Sequence, residues 1–127
     1  MFPPDGGVAG GVEGAGMDIE VTRSGEITTV APKGDLDMAS ADRLKRTLAD
    51  LIAGGQARLV VDLGAVSYID SSGMGTLVAA MKYARGAGGD VRLCALQEDV
   101  RAIFELTRLS KAMAVHGSRQ EALAAWA

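Results

Sequence analysis

Short apolar runs alternate with amphipathic stretches along the chain, and glycines stand at most of the boundaries between them. The clearest run, Arg58 to Leu63, is apolar and rich in valine and leucine, which predicts a buried strand. After an acidic and hydroxyl-rich cluster, apolar residues recur at i, i+3, i+4 and i+7, the spacing of one helix face: Met74, Leu77, Val78 and Met81. We predict a strand, a turn and then a helix from about Ser72 to Arg85.

Two strands and a helix are predicted before this unit. Ile19 and Val21 alternate with polar residues, and the alternation resumes at Ile27 after a Ser-Gly step, which predicts a β-hairpin. A helix follows, with Ser40 as its expected N-cap and Gly54-Gly55 as its stop. Its apolar stripe consists of Leu44, Leu48, Leu51 and Ile52.

The elements after the central unit continue the alternation. Val91 to Leu96 predicts a strand, and the periodic run from Glu98 to Leu109 predicts a third helix. Ala112 to His116 is expected to form a short edge strand. Ser118 with a glutamate three residues later is a capping-box pattern for a last helix that ends near Trp126.

This order of elements predicts an α/β fold in a single domain. We expect a mixed sheet of four to five strands, with an N-terminal β-hairpin and about four packing helices. Met1 to Gly16 is dominated by glycine and has few large apolar side chains, so it is expected to be a flexible tail that precedes a domain of residues 17–127.

Composition narrows the class of protein. The 127 residues carry a formal charge of −3, which argues against nucleic acid or an anionic membrane as the main partner. A single cysteine, Cys94, excludes an intramolecular disulfide, and its apolar neighbours predict a buried filler. No run approaches the roughly 18 apolar residues of a membrane span, and the N-terminus does not resemble a signal peptide. We expect a soluble, cytoplasmic protein.

The cluster between the central strand and helix has two interpretations from its residues alone. Asp70, Ser71, Ser72 and Gly73 lie where the helix begins, and a helix N-terminus favours a side-chain oxygen or an anion. The serines are therefore either caps, worth about 1 kcal/mol, or residues on which chemistry is done.

Catalytic interpretations of the cluster find little support. A nucleophilic serine needs a base, and the chain has one histidine, His116, and no Gly-x-Ser-x-Gly elbow. No lysine follows the glycines as in a phosphate-binding loop. Asp35, Asp37 and Asp70 lack a histidine partner, so they more closely match a solvated acidic edge than a metal site.

Three segments together carry a resemblance to a known family. Asp70-Ser71-Ser72-Gly73 follows a strand, Gly34-Asp35-Leu36-Asp37 lies upstream, and a run from Val100 to Leu109 lies downstream. In this order the segments resemble the STAS domain of bacterial anti-sigma factor antagonists, over roughly Met17 to Ala125. The run departs from the pattern at Arg108, where the family often has glycine.

The resemblance implies a partner-switching role and assigns residues to it. Ser71 matches the serine that is phosphorylated by an anti-sigma factor which is also an ATP-dependent serine kinase, and Ser72 matches a secondary acceptor or a cap. The unphosphorylated form binds that anti-sigma factor and releases a sigma factor, and a metal-dependent serine phosphatase restores it. The implied partner-binding rim consists of Asp35, Asp37, Asp70, Gly73 and Met74.

The same resemblance implies that the chain is a substrate and ligand without catalytic residues, cofactor, metal, nucleic acid or membrane insertion of its own. The main alternative is a constitutive scaffold subunit of a stress-sensing or lipid-trafficking complex, in which the serine is never phosphorylated. A module that binds a small ligand or nucleotide is a third possibility. The oligomeric state, the sigma factor and the anti-sigma factor stay open at this point.

Overall fold

Five strands form one mixed sheet in the computed structural model of the chain, which describes residues 18–126. The predicted tail, Met1 to Gly16, lies outside the described residues. The strands are β1 Asp18–Ser24, β2 Ile27–Lys33, β3 Arg58–Asp62, β4 Asp90–Cys94 and β5 Val115–His116. They lie in the sheet in chain order; β1 and β2 are antiparallel and every later pair is parallel. The predicted hairpin, mixed sheet and short edge strand are confirmed.

Five helices connect and cover the strands. They are α1 Met38–Ala53, α2 Ser71–Gly86, α3 Glu98–Leu106, the one-turn α4 Leu109–Ala112 and α5 Arg119–Ala124. The parallel strands β2 to β5 lie in chain order, so each crossover connection moves in the same direction along the sheet. Because such crossovers are right-handed, their helices lie on the same face of the sheet. The main core accordingly lies between the sheet and α1 to α3, and the predicted α/β class is confirmed.

The main core contains the apolar stripes that the sequence predicted. Leu44 and Leu48 of α1, Leu77 of α2 and Phe104 of α3 are all fully buried in it. They meet alternate residues of the central strands, such as Leu59, because successive strand residues point to opposite faces.

A smaller cluster lies on the other face of the sheet, under α5. Val60, Cys94 and Ala122 form its buried centre, and Trp126 packs against it. The prediction that Cys94 is a buried filler is confirmed, and burial, with a smaller contribution from Asp62, raises the pKa of its thiol to about 12. Arg92 stacks over the Trp126 ring at 4.5 Å from the ring centroid, which helps to hold the end of α5 on the sheet.

Two predicted helix boundaries are wrong. The N-cap of α1 is Asp37, not Ser40, which occupies the third helical position and completes a capping box with Asp37. The third helix ends at Leu106 and not at Leu109, because Arg108 adopts a left-handed conformation with φ of 62° and the chain restarts as α4. The apolar periodicity of the sequence continues to Leu109, so the pattern alone did not show that the helix ends at Leu106. The predicted Ser118 cap of the last helix is confirmed, since its Oγ accepts from the Glu121 amide at 3.1 Å.

Candidate functional site

Two loops meet at the edge of the sheet where the parallel strands end. The loop between β2 and α1 and the loop between β3 and α2 pair through their backbones, although neither is part of the regular strand ladder. The Leu36 amide donates to the Tyr68 carbonyl at 2.9 Å, and the Asp70 amide donates to the Leu36 carbonyl at 3.2 Å. Leu36 and Ile69 form an isolated parallel bridge and are both buried. This pairing brings the upstream acidic loop beside the start of α2.

Gly73 allows the two loops to approach this closely. A Cβ at Gly73 would lie 2.5 Å from the Leu36 carbonyl oxygen and 2.9 Å from Cγ1 of Ile69, closer than real Cβ contacts allow. Gly73 is itself buried, so it exposes little surface to a partner. Its contribution to the predicted partner-binding rim is to let the two loops pack closely.

The cap of α2 is Asp70, and neither serine caps this helix. Asp70 Oδ1 accepts from the Gly73 amide at 3.1 Å. Ser71 and Ser72 are the first two helical residues, a geometry in which a side chain points away from the positions that a cap must reach. The interpretation of the two serines as caps is therefore wrong. The sequence did not separate Asp70 from its neighbours because aspartate and serine are both favoured caps.

Ser71 and Ser72 differ in their access to solvent. Ser71 is exposed and Ser72 is half-buried. Neither hydroxyl hydrogen-bonds to any residue within 18–126. The amides of the first helical turn point outward at this end, which favours an anion near Ser71.

The upstream carboxylates have separate roles. Asp37 is half-buried, and its Oδ1 accepts from the amides of Ala39 and Ser40 at 3.0 and 3.2 Å, as the cap of α1. Asp35 is exposed, and only its backbone is engaged, since its carbonyl accepts from the Ser40 hydroxyl at 2.7 Å. Two of the three acidic residues predicted at this edge, Asp37 and Asp70, thus cap helices, and the Asp35 carboxylate is directed to solvent.

Two exposed apolar side chains flank this site, and neither was predicted from the sequence. Met38, the first residue of α1, is 78% exposed, and Tyr68, in the loop before α2, is 51% exposed. Met74, which was predicted at the rim, is half-buried and packs against the main core. Met38 and Tyr68 gave no sequence signal because they lie outside every periodic stripe. Only the paired loops reveal that they share one surface.

A serine–histidine pair is not formed at this site. His116 lies in β5 beside Cys94, and its Nε2 atom is buried on the face that α5 covers. Ser71 is exposed at the start of α2, which packs on the opposite face. Within 18–126, no group of three His, Cys, Asp or Glu side chains is arranged to hold a metal ion. None of the helices in this described part is long and apolar enough to cross a bilayer.

The chain is similar to known proteins along nearly all of its described length. A model of the STAS domain matches residues 18–122. The protein BtrV of Bordetella bronchiseptica, named provisionally as an anti-sigma factor antagonist, is 34% identical over 94 residues, which are 74% of this chain and 81% of BtrV. The anti-sigma-B factor antagonist of Staphylococcus aureus is 27% identical over 100 residues, 79% of this chain and 93% of the relative. The crystal structure of an anti-sigma factor antagonist from Mycobacterium paratuberculosis superposes with a TM-score of 0.80 at 25% identity, over 88% of this chain and 95% of that one.

Proposed function

The chain belongs to the STAS-domain family, and from this premise we propose that it is an anti-sigma factor antagonist switched by phosphorylation of Ser71. In this proposal the unphosphorylated chain binds an anti-sigma factor and thereby releases a sigma factor. The anti-sigma factor is also the ATP-dependent serine kinase that modifies Ser71 and ends the interaction. A metal-dependent serine phosphatase restores the binding form, and the chain itself catalyses nothing in the cycle.

The observation that carries this proposal is that the cap of α2 and the exposed serine beside it are different residues. Asp70 caps the helix, while the adjacent Ser71 hydroxyl is exposed and makes no hydrogen bond within the described residues. A serine that stabilised the fold would be costly to modify. A serine with no structural partner can accept a phosphate without loss of a native interaction, which is what a reversible switch requires.

The location of Ser71 also favours tolerance of the phosphate by the domain. A phosphoserine carries about −1.5 to −2 charges at neutral pH, and the positive end of a helix dipole favours negative charge. The modified chain should therefore keep its fold. Ser72 is half-buried beside it, so we propose it only as a secondary acceptor.

The same charge would act against a bound partner. A surface that meets a neutral hydroxyl would instead face a phosphate, next to the exposed Asp35 carboxylate and the two capping carboxylates. Repulsion and desolvation that cost about 3 kcal/mol would weaken binding by more than a hundredfold. The switch in this proposal is local electrostatics and needs no refolding.

The test is to find the phosphate and the enzyme that adds it. Phosphopeptide mass spectrometry of the protein from its own cells should detect phosphate on Ser71. A fraction of a lysate of the same cells, supplied with ATP, should add phosphate to Ser71 of the purified chain. The Ser71→Ala variant is the control and should stay unmodified. A peptide that remains unphosphorylated through growth and stress, with no activity in any fraction, would contradict the proposal and leave the constitutive scaffold role.

A further inference from the structure

Four large apolar side chains are markedly exposed in the described part of the chain, and two of them adjoin the phosphorylation site. Met38 and Tyr68 are 78% and 51% exposed, whereas Tyr83 and Leu106, at 48% and 84%, lie near the distal ends of α2 and α3. Single exposed apolar residues are ordinary in soluble proteins. Two that share a surface with a site of modification are not explained by the fold, because neither fills the core.

Met38 and Ser71 occupy equivalent positions in their helices. Met38 follows the cap Asp37 as the first residue of α1, and Ser71 follows the cap Asp70 as the first residue of α2. The two helix starts are held together by the backbone pairing of Leu36 with Tyr68 and Asp70. Met38 and Ser71 therefore face the same edge of the molecule.

The distances along the chain keep both apolar side chains near the acceptor. Ser71 is three positions after Tyr68, so their Cα atoms are at most about 11 Å apart. The Leu36–Ile69 bridge keeps Met38 within about 20 Å of Ser71. An interface of standard size covers about 800 Å² on each partner, a patch about 30 Å across. An enzyme that surrounds the Ser71 hydroxyl with its active site covers Tyr68, and it also contacts Met38 where its interface extends over the loop between β2 and α1.

We infer that Met38 and Tyr68 are the apolar anchors by which the kinase that modifies Ser71 holds this chain, an inference that rests on the proposed function. Aromatic residues and methionine are enriched at the centres of protein interfaces, where a few such side chains supply most of the affinity. The occupant is the kinase domain itself, with an apolar recess for the two side chains and a hydrogen-bond donor for the exposed Asp35 carboxylate. Asp70 and Asp37 are committed to their helices and contribute only their charge.

Anchors and acceptor differ in what they contribute to the reaction. The anchors contact the kinase equally before and during phosphoryl transfer, so their removal should raise KM and leave kcat unchanged. The acceptor hydroxyl is the reacting group. A merely structural role for Met38 or Tyr68 would instead lower the melting temperature of the chain.

The experiment measures KM and kcat for Ser71 phosphorylation with the kinase fraction identified above, at saturating ATP. The variants are Met38→Ala and Tyr68→Ala. Each has a control with matched side-chain exposure, Leu106→Ala for methionine and Tyr83→Ala for tyrosine. We expect KM to rise about tenfold in each anchor variant, with kcat and melting temperature unchanged, and to stay within about twofold in the controls.

The outcomes separate this inference from the proposed function. A wild-type KM in both anchor variants, or an equal rise of KM in the control variants, overturns the inference but leaves the proposed phosphorylation switch intact. A fall in kcat at constant KM overturns it too, because the side chains would then act on the chemical step. If the apolar pair serves a second copy of this chain, the wild type sediments as a dimer, the alanine variants sediment as monomers and KM does not change, which also overturns it. If no fraction phosphorylates wild-type Ser71, the proposed function fails and the inference fails with it.

Discussion

Gly73 of α2 lies so close to Leu36, in the loop between β2 and α1, that a Cβ on the glycine would be 2.5 Å from the Leu36 carbonyl oxygen. That oxygen also accepts from the Asp70 amide at 3.2 Å. One backbone carbonyl therefore fixes both the cap residue of α2 and the approach of the acidic loop. The geometry of the proposed switch depends on this contact.

Replacement of Gly73 by alanine should separate the two loops. The added methyl group would meet backbone and the buried Leu36 and Ile69 side chains, none of which is a flexible chain end, so we expect a loss of about 1–3 kcal/mol in the free energy of unfolding. Urea unfolding measures it. Gly75→Ala is the control, because no atom outside its own helical turn lies within 4 Å of its Cβ position and a helical alanine should add about 0.5–1 kcal/mol. Equal effects at the two positions would contradict the packing argument.

Asp70→Ala should weaken α2 by removing its N-cap. We expect a loss of about 1 kcal/mol in the free energy of unfolding, because the Gly73 amide loses its acceptor and Ser71 is not positioned to replace it. Asp70→Asn keeps a capping oxygen and should lose far less. If the alanine variant were as stable as the wild type by urea unfolding, a serine would be able to supply the cap after all.

Ser71→Asp should leave the fold intact and impair the interaction. The carboxylate imitates part of the phosphate charge at a position with no native hydrogen bond, so the melting temperature should stay within about 3 °C of wild type. Binding to the proposed anti-sigma factor partner, measured by calorimetry, should weaken at least about tenfold. Ser71→Ala should bind normally but resist phosphorylation. Ser110→Asp, at an exposed serine near the start of α4, is the control and should bind as the wild type does. An unfolded Ser71→Asp protein would refute the local-repulsion account.

Most of the fold could be predicted because glycines mark its boundaries and apolar stripes mark its faces. The errors at the starts of α1 and α2 share one cause. Asp37 and Ser40, or Asp70 and Ser71, are residue types that all cap helices, and only backbone geometry decides which one does. The backbone pairing of the two loops has no side-chain signature at all, so the exposed Met38 and Tyr68 could not be assigned to the site from the sequence.

The end of α3 before Arg108 could not be predicted from periodicity either. The backbone conformation of Arg108 should lower the free energy of unfolding, which can be tested. Arg108 has φ of 62°, a conformation that costs a residue with a Cβ about 1–2 kcal/mol and costs glycine almost nothing. Arg108→Gly should therefore raise the free energy of unfolding by about 1 kcal/mol in urea titrations. Ala102→Gly, at an exposed position within α3, should lower it by about the same amount. A loss of stability in the Arg108 variant would mean that its side chain contributes more than its backbone costs.

Cys94 predicts how the stability of the chain depends on alkaline pH. Burial raises the pKa of its thiol from 9.0 to about 12, so between these values the unfolded thiol has lost its proton while the folded thiol keeps it. The unfolded state then binds fewer protons, and the free energy of unfolding falls as pH rises above 9. Between pH 8 and pH 10 the wild type should lose about 1.4 kcal/mol more than Cys94→Ala does, as measured by urea unfolding. Equal losses in the two proteins would show that the thiol is not buried in its neutral form.

The separation of Asp70, which caps α2, from Ser71, which faces solvent, has a genetic consequence under the proposed function. A Ser71→Ala change would yield a protein of normal abundance that is fixed in the form that binds the anti-sigma factor. Such an allele would compete with the normal protein for a limited supply of anti-sigma factor. In a cell that carries both alleles, the Ser71→Ala allele should therefore be dominant, whereas changes at Gly73, which act through folding, should be recessive.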